Sequence, residues 1–69
     1  MTQKEFLQKV GMEVKVARVR AELRRSQLCK LAGVNKDTLA SIENGTTDSR
    51  ISNYMRITDA LGIEMKNIL

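Results

Sequence analysis

Very few side chains in this chain could carry out covalent or metal chemistry. Its 69 residues include no His, one Cys and no Trp. A Cys/His zinc cluster, a Ser-His-Asp triad, a Cys-His dyad and a His general base are therefore all excluded. The carboxylates do not recur at metal-ligand spacing, and there is no glycine-rich Walker loop. We predict a protein that is not an enzyme and that needs neither a metal nor a cofactor.

The side chains best suited to bind a partner are the basic ones. The chain has 12 Lys and Arg residues against 8 Asp and Glu, a formal net charge of +4. Residues 15–36 contain seven of the basic residues and one acidic residue, a local net charge of +6. Such a concentration is typical of a protein that binds a polyanion. Phe6 and Tyr54 are the only aromatic residues, too few to stack the bases of a single-stranded nucleic acid.

Length and composition indicate one small folded domain over residues 1–69. A chain this short can build only one core, and 42% apolar with 29% charged residues is typical of a globular protein rather than a disordered one. The sequence has no apolar run long enough for a membrane span or a signal peptide. Together with the single cysteine, this predicts a cytoplasmic protein with no membrane contact. We expect Cys29 to lie in the core, with a redox switch as the alternative.

The hydrophobic spacing predicts an all-α fold. Thr2 and Glu5 stand at capping-box spacing before the first apolar residues. Three later glycines each follow an apolar periodic segment, where a left-handed residue ends a helix at little cost. The predicted helices cover residues 3–22, 25–32, 36–43, 50–60 and 64–68. The later residues predicted to face inward include Leu28, Cys29, Leu31, Ala32, Val34, Leu39, Ile42, Ile51, Tyr54, Met55, Thr58 and Leu61.

The first predicted helix has two unusual features. Gly11 either marks a kink that separates an N-terminal arm at residues 1–10, or allows another element to pack closely. Met12, Val16 and Val19 form a second apolar face, opposite the one predicted to meet the core. Exposed apolar residues in a row favour either a covering segment or a partner. The arm, with Phe6 and Leu7, is one candidate cover, and a second copy of the chain is the other.

Residues 25–43 have the spacing of two short helices joined by a tight turn. Gly33 ends the first helix, Asn35 caps the second, and Leu39 and Ile42 anchor the inner face of that second helix. Its outer face is left with short or polar side chains, on a rod of the diameter that the major groove of B-DNA admits. These outer residues are Lys36, Asp37, Ala40 and Ser41.

Over residues 10–69 the sequence resembles the phage-repressor and Cro type of helix-turn-helix domain, the XRE family. The resemblance implies a five-helix, lambda-repressor-like DNA-binding domain with an extended N-terminal helix or arm. It rests on Gly11-x-x-Val14-x-x-Ala17-Arg18, on Leu28-x-x-x-Ala32-Gly33-Val34, on Thr38-Leu39-x-x-Ile42-Glu43-Asn44-Gly45, and on Ile51 to Ile63 with its Ala60-Leu61-Gly62 ending.

The resemblance implies which residues would read bases. The helix ending at Gly45 would lie in the major groove, with Lys36, Asp37 and Ser41 at base-reading positions and Ala40 and Asn35 nearby. A lysine suits guanine, a serine either a donor or an acceptor, and a carboxylate could accept from cytosine. For Asp37 the alternative is a favourable interaction with the N-terminal end of the helix dipole.

A second set of positions is implied to contact the DNA backbone. These residues are Arg25, Thr38, Asn44, Thr46, Thr47 and Arg50. Arg25 stands where the family usually has a phosphate-binding Gln, and Arg24 replaces the usual Ser or Thr cap, so the start of that helix is predicted to be poorly capped. A start with Ser26 as the cap is the alternative, and it would move Arg25 off the helix. For the loop residues the alternative is simple exposure to water.

The resemblance also implies an ion pair between Arg18 and Glu43 that supports the fold rather than touching DNA. Because a single such domain buries too little DNA surface for strong specificity, we expect a homodimer on a palindromic operator. The candidate dimer or arm contacts are Met12, Val16, Val19, Met65, Ile68 and Leu69.

The predicted function is that of a sequence-specific regulator of transcription that binds double-stranded DNA and acts as a repressor. RNA polymerase or an antagonist protein would be further partners. The alternative is a small helical protein-interaction module, antitoxin-like or an anti-repressor, that keeps the fold without binding DNA. This alternative stays open because three residues on the outer face of the second helix add no positive charge to it. They are Asp37, Ala40 and Ser41.

Overall fold

The computed structural model describes residues 1–64, which form four α-helices and no strand. The helices are α1 (Gln3–Arg20), α2 (Arg25–Ala32), α3 (Lys36–Asn44) and α4 (Ile51–Leu61). The all-α class is as predicted, and the first four predicted helices lie within two residues of their expected ends. The fifth predicted helix falls almost wholly on residues 65–69, outside the described part of the chain. Glu64, its first predicted residue, is not helical.

Helix α1 is one continuous helix from its first turn. The Glu5 N–H donates to Thr2 Oγ1 at 3.1 Å and the Thr2 N–H donates to Glu5 Oε1 at 3.3 Å, which completes the capping box. The prediction of an arm that folds back is therefore wrong, because Phe6 and Leu7 belong to the same rigid helix as the apolar face they would cover. The helix stops at Arg20, two residues early, and Glu22 takes a left-handed φ of 59° in the turn that follows.

Gly11 has the second of its two predicted roles, close packing. It is buried, and a Cβ atom there would press against the backbone carbonyl oxygen of Ile42 and lie 2.8 Å from that of Glu43. The same two elements, α1 and the end of α3, approach closely at a second point. A Cβ on Gly45 would lie 2.7 Å from the Cα atom of Gln8. The backbones of α1 and the end of α3 are thus almost in contact, and α1 fixes the position of α3.

The core lies between the four helices and consists of small and medium aliphatic side chains with one tyrosine. Burying such side chains is the main source of stability in a domain of this size. Its members are Val10, Val14, Leu28, Cys29, Ala32, Leu39, Ile42, Tyr54 and Ile57, with Leu23, Val34, Ala60, Leu61 and Ile63 packed around them.

Three residues predicted to face inward are exposed instead. The exposed fractions are 64% for Leu31, 62% for Ile51 and 52% for Met55. In α4 the buried stripe runs through residues 54, 57 and 58, which leaves Met55 to one side, and Ile51 is the first residue of the helix. On the helical wheel of α2 the buried stripe centres between residues 28 and 29, about 110°, or nearly a third of a turn, from Leu31.

None of the described helices is both long and apolar enough to cross a membrane.

Candidate nucleic-acid interface

Helix α3 has two distinct faces, one buried and one open. Leu39, Ile42 and Glu43 are buried against the rest of the domain. The residues on the other side are exposed or half-buried, and they share an arc of about 140° at 100° per residue. These are Lys36, Asp37, Ala40, Ser41 and Asn44. The four outer residues predicted from the sequence therefore lie together on one open face, and Asn44 extends it.

The start of α3 is fixed by Asn35. Its side-chain Oδ1 accepts a hydrogen bond from the Thr38 N–H at 2.7 Å, and its backbone is extended with φ −84° and ψ 164°. This is the cap that the sequence predicts. Asp37 lies in the first turn, where the positive end of the helix dipole favours a carboxylate. The cap places Lys36 and Asp37 at the exposed end of the rod.

The end of α3 and the following loop are held by backbone bonds. Gly45 takes a left-handed φ of 67°, and both the N–H and the hydroxyl of Thr46 donate to the Ser41 carbonyl oxygen, at 3.1 and 3.4 Å. Asn44, Thr46 and Arg50 are exposed, whereas Thr47 and Thr38 are half-buried. The residues after α3 that are predicted to contact the DNA backbone are therefore all at least partly open to solvent.

The loop after α3 also contacts the first turn of α1. Gln3 Nε2 donates to Asp48 Oδ2 at 3.3 Å. No motif in the sequence signals this pair, because the two residues are 45 positions apart.

A cluster of three charges, centred on the buried Glu43 side chain, joins α1, α2 and α3. The Glu43 side chain is completely buried, and Arg18 grips it with Nε to Oε2 at 2.8 Å and Nη2 to Oε1 at 3.2 Å. The remaining Arg18 nitrogen, Nη1, donates to the Leu23 carbonyl oxygen at 2.8 Å, which fixes the turn between α1 and α2. The charge of Arg18 is therefore paired inside the fold, and it adds little to the basic surface.

Arg25 is the third member of this cluster, and sequence reasoning missed its internal contact. Its Nε donates to Glu43 Oε1 at 3.1 Å, while the side chain remains 43% exposed. The alternative start with Ser26 as cap is excluded, because the N-cap of α2 is Arg24 and Arg25 is the first helical residue.

The start of α2 has no cap from the N-cap side chain, as predicted, but it has half of a capping box. Gln27 Oε1 accepts from the Arg24 backbone N–H at 2.8 Å. The Gln27 side chain thus fixes the entry of the chain into α2. Its position three residues after the N-cap was the signal available in the sequence.

The second apolar face of α1 lies open. Met12 is 56% and Val19 57% exposed, and Val16 is half-buried. The other predicted dimer contacts, Met65, Ile68 and Leu69, lie outside the described residues.

Cys29 lies in the core, on the buried face of α2. It is 8% exposed. Burial raises the pKa of its thiol, and the nearby Lys36 charge opposes that change only in part. A neutral, buried thiol behaves as a small apolar side chain.

These features define a class of protein. Two short helices meet at a glycine turn, the second has its inner face buried and its outer face open, and cationic side chains stand beside it. That is the arrangement of a helix-turn-helix DNA-binding domain, in which the second helix enters the major groove.

The comparisons with known proteins agree with this class. A family model described as a helix-turn-helix domain matches residues 9–65, and the chain belongs to that family. Family membership supports a DNA-binding protein that regulates transcription. Among curated protein sequences none matches the chain.

The fold is also found among solved structures. The chain is similar to the restriction-modification controller protein C.AhdI from Aeromonas hydrophila, with a TM-score of 0.85 and 24% identity. The match covers 91% of this chain and 96% of that one.

Proposed function

We propose that this protein is a sequence-specific transcriptional regulator that reads the major groove with α3 as a homodimer. The observation that carries the proposal is the division of α3 into a buried face and an open face. A helix of nine residues is about 13 Å long. Its bare outer side, with no large side chain between Lys36 and Ser41, fits a groove about 12 Å wide.

In this proposal the residues on the outer face of α3 contact the DNA bases. Lys36 donates to guanine, Ser41 donates or accepts, and Ala40 allows close approach to a thymine methyl group. Asp37 accepts from cytosine N4 or orients Lys36, and Asn35 holds the end of the helix in place.

The backbone of the DNA would be held on either side of α3. Exposed polar residues after α3 bind phosphates on one side, and the start of α2 binds them on the other. The proposed phosphate contacts are Arg25, Thr38, Asn44, Thr46, Thr47 and Arg50.

The proposed dimer uses the open apolar face of α1, together with the C-terminal residues Met65, Ile68 and Leu69. Met12, Val16 and Val19 lie within an arc of about 60°, so they form one stripe. Two copies related by a two-fold axis would read half-sites about 34 Å apart on one side of a palindromic operator. We further propose a cytoplasmic location and repression by occupation of a promoter, with RNA polymerase or an antagonist protein as further partners.

Fluorescence anisotropy tests the DNA-binding proposal. A labelled duplex of about 30 base pairs, long enough for two half-sites one helical turn apart, is titrated with the protein at several salt concentrations. We expect the logarithm of the binding constant to fall linearly with the logarithm of salt, with a slope of about −0.9 for each phosphate neutralised. Lys36→Ala and Arg50→Ala weaken binding, whereas Lys30→Ala, a charge control outside the proposed contacts, changes it by less than about twofold.

Selection of bound duplexes from a random pool then tests specificity. Recovery of a palindrome supports the regulator and its half-site spacing together. A protein that binds no duplex at low salt, or that binds with no salt dependence, would contradict the proposal and favour a protein-interaction module instead.

Sedimentation equilibrium tests the dimer. Val16→Glu and Val19→Glu place charges on the apolar stripe, and we expect them to dissociate the dimer or lower its melting temperature. A parent protein that stays monomeric, or a double variant with the same mass and melting temperature as the parent, would remove this face from the proposal.

A further inference from the structure

The two edges of the Arg25 guanidinium group have different surroundings. The edge at Nε faces inward and donates to Glu43 Oε1 at 3.1 Å. Within the described part of the chain, no hydrogen bond or ion pair engages Nη1 or Nη2. A guanidinium group is planar and carries five N–H donors in a fixed fork. The bond at Nε therefore restricts the orientation of the fork and leaves its outer end open.

The charge of Arg25 is not needed to neutralise Glu43. Arg18 already forms two bonds to the Glu43 carboxylate and is itself only 12% exposed. The three side chains together carry one excess positive charge, and the exposed member, Arg25, carries it at the surface. Arg25 is also the first residue of α2, where the helix dipole makes a cation unfavourable and an anion favourable. The excess positive charge of Arg25, at the N-terminal end of α2, is therefore suited to bind an anionic partner.

Glu43 belongs to the last turn of α3, whose other face is the proposed reading face. A side chain fixed to Glu43 is therefore fixed relative to α3 itself. Any phosphate bound by Arg25 would be held at a set position relative to the bases that α3 contacts.

We propose that Glu43 is a positioning residue that aims the free end of Arg25 at a phosphate of the DNA backbone. Nε stays on Glu43, while Nη1 and Nη2 donate as a pair to two oxygens of one phosphate. This inference rests on the proposed function. It adds that one buried carboxylate, that of Glu43, fixes where the phosphate bound by Arg25 lies relative to the bases contacted by α3.

A lysine at residue 25 could not do both tasks. Its ammonium group carries three donors on one nitrogen at the end of a flexible stem, so it cannot bond Glu43 and also present a planar pair of donors to two oxygens of one phosphate. Replacing Arg25 with Lys keeps the charge and removes the bridge, which separates the geometric role from simple attraction to DNA.

The experiment compares Arg25→Lys with Arg24→Lys. Arg24 is the adjacent exposed arginine, and it makes no ion pair with Glu43. Binding to a random-sequence duplex of about 30 base pairs is measured by fluorescence anisotropy, after circular dichroism has shown equal helix content. We expect Arg25→Lys to weaken binding about tenfold, as for one lost bond to a charged group, and Arg24→Lys to change it by less than about twofold. Equal effects of the two substitutions would overturn the proposal.

A nuclear magnetic resonance measurement on the parent protein tests the same claim without any substitution. The Nε–H proton of Arg25, held by Glu43, should exchange slowly with water both in the free protein and in the complex with duplex DNA. Fast exchange in the complex would show that the phosphate displaces Glu43 rather than sharing Arg25 with it, and this would overturn the proposal. Slow exchange in both states supports it.

The outcomes separate this inference from the proposed function. If the parent protein binds no duplex, the proposed function itself fails. If the parent binds and Lys36→Ala weakens binding, but Arg25→Lys behaves like Arg24→Lys, only the positioning role of Glu43 is lost.

Discussion

Removing Arg18 should destabilise the domain more than any other single charge deletion on α1. Arg18→Ala takes away the three hydrogen bonds that Arg18 makes, two to the buried Glu43 carboxylate and one to the Leu23 carbonyl oxygen. Stranding a buried charge costs about 3 to 5 kcal/mol. Because Arg25 still holds Glu43 from the exposed side, we expect the lower end of that range, about 3 kcal/mol.

This loss is large for so small a domain. At about 0.05 to 0.15 kcal/mol per residue, a chain of 69 residues has a free energy of unfolding of roughly 3.5 to 10 kcal/mol. With an m value of about 1 kcal/mol per molar urea, the unfolding midpoint should fall by about 3 M. The assay is urea denaturation followed by far-UV circular dichroism.

Two further variants make the result interpretable. Arg20→Ala removes an exposed arginine from the last turn of the same helix, and it should change stability by no more than about 0.5 kcal/mol. The double variant Arg18→Met with Glu43→Met removes both charges of the bridge, and it should recover much of the loss, because apolar replacements of a buried pair are often neutral or better. If Arg18→Ala is as stable as Arg20→Ala, the ion pair does not support the fold as argued.

Three other outcomes follow from the packing. Gly11→Ala should destabilise the domain by about 1 to 2 kcal/mol. The added methyl group would overpack against the Ile42 carbonyl, and this costs more than the roughly 1 kcal/mol that alanine gains over glycine in a helix. A variant more stable than the parent in urea denaturation would contradict the close approach. Asn35→Ala should lose about 1 kcal/mol with the cap on Thr38, and an unchanged melting temperature would refute that role. Because burial raises the pKa of the Cys29 thiol, the folded chain keeps a proton that the unfolded chain loses, so stability should fall as the pH rises above about 9. Cys29→Ala should reduce that decline, and identical pH profiles would count against it.

Much of the helix-turn-helix could be predicted from local sequence rules. Gly33 and Asn35 fix the turn through backbone conformation and a side-chain cap, which are properties of single residues. The fold class followed from helical periodicity in the same way. Each of these features depends on neighbours within about four positions along the chain.

Apart from the local bond from the Arg24 N–H to Gln27, the features that were missed depend on contacts between distant parts of the chain. Nothing local distinguishes Arg25 from Arg24, yet only Arg25 reaches Glu43, 18 positions away. Leu31 and Met55 are apolar, but each lies about 110° around its helix from the centre of the face that the rest of the domain buries. Gly11 allowed two interpretations until the position of α3 decided between them.

In the proposed mode of action, the outer face of α3 enters the major groove of DNA. The most direct measurement is an amide nuclear magnetic resonance titration with a duplex recovered by selection from a random pool. We predict that the largest shifts fall on the amides of residues 35–47, with a second group at residues 24–27 where α2 begins. If the shifts lie only on other helices, or if α3 stays unperturbed at saturation, the proposed mode of DNA reading is wrong.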